Sequence, residues 1–119
     1  MNRLVLVSAA AIAAVFCMAA DKSDLAAAFK NTIVSTYPDG RQAHLWLSAD
    51  GSYKAEGRRR DPSNGHWTLR GDKICLRQSH PATLPFSYCT ALPSGGVGAA
   101  WSAKAVTGEP IRVKLVKGR

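Results

Sequence analysis

Three histidines, three tryptophans, a run of arginines and three cysteines are the residues whose types and spacing could do chemistry. His44 and His66 each alternate out of step with the leucines of their own segment, so both could face one side of a sheet. With His80 as a third ligand from a loop they could hold Zn²⁺ or Cu²⁺. Metal sites gather their ligands more tightly than this, so surface imidazoles are the expectation, with no metal and no cofactor. Trp46, Trp67, Tyr88 and Trp101 are the candidate ligand-binding set, with Tyr53 and Phe86 beside them, because such rings can line a pocket for an apolar or ring-shaped ligand. The same rings could simply fill a small barrel. Trp46 is out of phase with Leu45 and Leu47, which makes it a candidate exposed anchor.

Arg58-Arg59-Arg60 is the densest charge in the chain. Guanidinium groups grip phosphate or carboxylate bidentately, and Arg112 and Lys114 are candidates to extend the patch, followed by Lys117 and Arg119. The competing reading is a solvated hairpin tip. Of the eight acidic residues, Asp39, Asp50, Asp61, Asp72 and Glu109 fall in or beside predicted turns, and only Glu56 lies inside a predicted strand. No two carboxylates are set to converge on a cleft, and no Gly-x-Ser-x-Gly elbow occurs, so an enzyme is not expected.

The elements that must position these residues form one domain, since 119 residues leave room for no more. Residues 1–20 read as a signal peptide: Asn2 and Arg3, an apolar run from Leu4 to Met18, then small residues suited to cleavage after Ala19 or Ala20. The domain is then 21–119, periplasmic or secreted, with no transmembrane segment after cleavage. Cleavage removes Cys17 and leaves Cys75 and Cys89, which are expected to form a disulfide worth roughly 3 kcal/mol. It also removes only one charge, Arg3, from a formal +8. An exported basic protein is expected to meet an anionic envelope component or a secreted protein, and no nucleic acid.

Asp21 to Lys30 is the only helical candidate, with Ser23 as cap and Leu25 and Phe29 on one face. From Asn31 the period changes to two. Thr32–Tyr37, Ala43–Leu47, Tyr53–Ala55, Trp67–Leu69, Ile74–Leu76, Phe86–Leu92, Trp101–Ala105 and Ile111–Leu115 read as strands. Pro38-Asp39-Gly40, Asp50-Gly51, Gly71-Asp72 and Thr107-Gly108-Glu109-Pro110 supply turns, and 57–65 and 79–85 supply loops. About eight short strands with no helix long enough to cross between them predict a mainly β fold. The expected form is a small antiparallel up-and-down β-barrel with a short N-terminal helix; a β-sandwich is the alternative.

The succession Leu47-Ser48-Ala49-Asp50-Gly51-Ser52-Tyr53, Gly65-His66-Trp67 and Gly71-Asp72-Lys73-Ile74-Cys75 resembles small exported bacterial proteins with lipocalin-like β-barrels. The resemblance covers roughly residues 31 to 92 and implies that barrel and that compartment. In size and cysteine economy the chain is also similar to periplasmic lysozyme inhibitors of the membrane-associated type. The expected function is a non-enzymatic exported binding module for a small apolar ligand or an anionic envelope or protein partner. The alternative is an inhibitor of a secreted hydrolase, such as a lysozyme or a protease.

Overall fold

The computed structural model describes residues 22–92 and 95–119, so the expected signal segment lies outside the described residues. Helix α1 (Lys22–Phe29) precedes eight strands: β1 (Thr32–Thr36), β2 (Gln42–Leu47), β3 (Ser52–Glu56), β4 (Pro62–Arg70), β5 (Lys73–His80), β6 (Tyr88–Ala91), β7 (Ala100–Lys104) and β8 (Pro110–Val116). Consecutive strands pair antiparallel except β6 and β7, which are the two edges, and β8 also pairs with β1, giving the order β6-β5-β4-β3-β2-β1-β8-β7. The result is a nearly closed up-and-down barrel. Between the edge strands β6 and β7, the Tyr88 hydroxyl donates to the Lys104 carbonyl.

The period-two pattern decides which side chains enter the barrel. Leu47 on β2, Tyr53 on β3, Ile74 on β5, and Ile111, Val113 and Leu115 on β8 belong to the buried core, and Leu45, Ala55, Trp67 and Leu76 pack against it half-buried. One end of this core is closed. Leu25 and Ala28 of α1 are buried there, and Phe29 packs its ring 5.7 Å from that of Trp67. A helix of two turns is stable only when docked like this. Asn31 caps it by donating to the Ala27 carbonyl at 2.6 Å, and accepts from Gly118 N–H at 2.8 Å, tying the C-terminal tail to the helix end.

The hairpin β4–β5 turns through Gly71 and Asp72, with Arg70 opposite Lys73. Gly71 adopts a φ of 64°, as the first residue of a tight hairpin turn of this kind requires. Cys75 and Cys89 are register partners on β5 and β6 and form the disulfide. The bond sits on the outer face, opposite in phase to Trp67. Trp67 therefore does not lie against the disulfide; it packs on Phe29 inside. Strand β5 also runs through His80, so Ser79 and His80 are strand residues where a loop was expected.

Candidate ligand cavity and its rim

The other end of the barrel is open. The turns 37–41, 57–61 and 105–109 and the loop 81–87 surround it, because in an up-and-down barrel alternate connections share an end. Here the inward-facing side chains become small. Ser35 faces Ala43 across β1 and β2, and Ala55 faces Ser63 across β3 and β4. Leu45, Leu76 and Ile111 stand around them. These short side chains do not meet across the barrel, and they leave a cavity of about 380 Å³ with Tyr37 and Tyr88 among its walls. That volume falls within the range of roughly 300–1,000 Å³ typical of small-molecule sites. A branch of about 170 Å³ shares Ala55, Ser63, Leu76, Gln78 and Tyr88 with it and runs to Leu84 and Phe86. Phe86 and Val106, one on each side of the β6–β7 seam, are 49% and 61% exposed and form an apolar lip.

Polar groups in the cavity are few. Ser35 and Ser63 make no side-chain hydrogen bond among the described residues, so their hydroxyls are free to meet a ligand. The Gln78 amide N–H₂ donates to the Ala82 carbonyl at 3.0 Å and so fixes the loop that forms one side of the mouth. Burial holds the Tyr37 hydroxyl above its ordinary pKa, although the adjacent Arg58 guanidinium opposes the shift. Tyr53 is likewise raised by burial. Both phenols are therefore neutral hydrogen-bonding groups at neutral pH.

Arg58 holds the rim together. Its Nη1 and Nη2 donate to Glu109 Oε2 and Oε1 at 2.8 and 3.1 Å. It also lies 3.7 Å from Asp39 Oδ2, and its guanidinium carbon sits 4.4 Å above the centre of the Tyr37 ring. One side chain thus joins three hairpin turns. The Glu109 carboxyl is held below its ordinary pKa, first by the Thr107 hydroxyl at 2.6 Å and then by Arg58. The expected recognition tip is therefore divided: Arg58 is committed to internal partners, while Arg59 and Arg60 are exposed. Arg41, Arg58 and Arg60 border an outer groove that also contains His44 and Glu56. Arg112 and Lys114 lie on the outer face of β8, and Arg119 sits at the closed end, donating to the Leu47 carbonyl at 2.5 Å.

The four candidate ligand-binding aromatics do not form one set. Tyr88 lines the cavity. Trp67 packs at the closed end, with its Nε1–H donating to the Ser48 carbonyl at 2.8 Å. Trp101 faces inward from β7 against the core, opposite Val113. Trp46 is on the outer face and half-buried. It donates to Thr32 Oγ1 at 2.9 Å and stacks beside His44, with ring centroids 6.0 Å apart. The Thr32 hydroxyl in turn donates to the Gly118 carbonyl at 2.7 Å, so Trp46 supports the residue that fastens the C-terminal tail.

The histidines are also dispersed. His44 on β2 and His66 on β4 are separated by β3 and differ in register, His44 facing Glu56 and His66 facing Ser52. Among the described residues, no three His, Cys, Asp or Glu side chains gather in a way that could hold a metal ion. The residues that make the cavity, Ser35, Ala43, Ala55, Ser63 and Ala105, carry only one sequence signal: small side chains at in-phase strand positions. With this geometry in hand, comparison with known proteins adds no further guide: the chain matches no family model, no curated protein and no solved structure.

Proposed function

We propose that the protein is a non-enzymatic binding module that takes a small, largely apolar molecule into the open end of its barrel. The observation that carries this reading is the cavity of about 380 Å³, apolar on most of its wall and opening past Phe86 and Val106. Burial of apolar surface supplies the affinity, at about 25 cal/mol per Å². The Ser35 and Ser63 hydroxyls orient a single polar group on the ligand. The Cys75–Cys89 bond supports export to an oxidising compartment.

The uncharged dye N-phenyl-1-naphthylamine tests this reading directly. Its emission should rise on mixing with the protein. Ala55→Phe, which fills both branches of the cavity, should abolish the rise while leaving the thermal unfolding temperature unchanged or higher. Ser63→Leu provides the same test from β4. A parent protein that leaves the dye dark, or filled variants that still bind it, would show that the cavity is not the site.

A further inference from the structure

The open end is not where the unbalanced charge of this protein lies. The arginines there meet Asp39 and Glu109 and share the rim with Glu56 and Asp61. The outer face of the β4–β5 hairpin is different. Its outward side chains are His66, Thr68 and Arg70 on β4 and Lys73, Cys75 and Arg77 on β5, with register pairs Arg70–Lys73, Thr68–Cys75 and His66–Arg77. Lys54 of β3 and His80 of β5 flank Asn64 in the next outward row.

All six basic groups are exposed, and none belongs to an ion pair among the described residues. Strands β4, β5 and β6 contain no acidic residue. The nearest carboxylates lie at its margins: Glu56 of β3 shares a groove with Lys54, Asn64 and His80, Asp50 lies near His66 and accepts the N–H and hydroxyl of Ser52, and Asp72 sits in the hairpin turn. Arg70, Lys73 and Arg77 thus form the part of the face with no acidic residue on its strands. Like charges directly opposite each other destabilise an antiparallel pair. The fold nevertheless sets Arg70 against Lys73 and pins the same strand to β6 with the disulfide. An anion laid across this face relieves the repulsion.

We propose that this face docks on a bilayer surface carrying anionic phospholipid. Arg70, Lys73 and Arg77 are spread along the outer side of one hairpin, apart from the groove that Lys54 and His80 share with Glu56, which suits a field of head groups. This site is separate from the cavity and does not depend on what the cavity holds.

Co-sedimentation with phosphatidylcholine vesicles, with and without phosphatidylglycerol, tests the proposal at low salt. The parent should bind only the anionic vesicles. The triple change Arg70→Gln, Lys73→Gln, Arg77→Gln should weaken that binding by about a hundredfold, since each basic residue near an anionic membrane contributes on the order of fivefold. Arg41→Gln, Arg59→Gln, Arg60→Gln removes the same charge at the barrel mouth and should weaken binding far less. The face variant should also unfold at an unchanged or higher temperature, because a like-charge pair is gone. Failure of the parent to bind, or equal loss in both triple variants, would overturn the proposal. Retention of soluble polyphosphate without binding to vesicles would assign the face to a polyanion in solution and overturn it as well.

Discussion

Trp67 and Trp101 carry the same side chain into the same barrel, and their indole N–H groups end differently. Trp67 donates to the Ser48 carbonyl, whereas Trp101 Nε1 is buried with no acceptor among the described residues. Removing one partner of a buried hydrogen bond costs the desolvation of the group left behind, but removing an unsatisfied donor relieves a cost already present. Trp67→Phe should therefore destabilise by about 1–3 kcal/mol, and Trp101→Phe should change stability by less than about 1 kcal/mol. Urea unfolding with unchanged slope is the measurement. Equal losses in the two variants would mean that the hydrogen bond at Trp67 is not what distinguishes the sites.

At the scale of the element, the long hairpin depends on one residue without a side chain. The β4–β5 register shifts between Asn64 and Gly65, and Gly65 is buried against the β5 backbone. A Cβ there would lie 2.0 Å from the Arg77 carbonyl oxygen, and backbone cannot swing aside as a flexible side chain can. Gly65→Ala should cost about 1–3 kcal/mol or more as the strands are pushed apart. At Gly57, where the nearest atom to an added Cβ is 3.7 Å away, Gly57→Ala should fall within about 0.5 kcal/mol of the parent. Denaturant midpoints for the pair decide the matter. A well-tolerated Gly65→Ala would mean that the shift in register does not require glycine.

Across the whole molecule, Arg58 links hairpins that the sheet order keeps apart, and its partner Glu109 makes that link sensitive to acid. Glu109 has a depressed pKa, so its contribution to stability is complete above the ordinary value of 4.5 and disappears as pH falls through the lowered one. The parent should lose thermal stability below about pH 4.5 more steeply than Arg58→Gln, which keeps the Thr107 hydrogen bond to Glu109 but loses the part due to Arg58. The difference is modest because the pair is partly exposed to solvent. Melting temperatures of both proteins from neutral pH down to about pH 3 provide the check. Parallel curves would show that the clasp contributes nothing.

The strands, their turns and the barrel class were legible in the amino-acid order because the signals are local. Period-two alternation and turns such as Gly71-Asp72 lie within a few residues of one another. The Cys75–Cys89 pair was legible by counting. The cavity was not, since Ser35, Ala43, Ala55, Ser63 and Ile111 come from five strands and meet only when the sheet curls round. Each small residue alone reads as an ordinary strand position. The same limit divided the arginine run, because Glu109 and Asp39 are distant in sequence and only the barrel brings them to Arg58. It also hid the charge of the β4–β5 face, whose Arg70–Lys73 pair is set by register and not by spacing along either strand. Period and turn chemistry act over neighbours in the chain. Cavity shape and charge balance are sums over neighbours in space, and those are chosen by closure of the barrel.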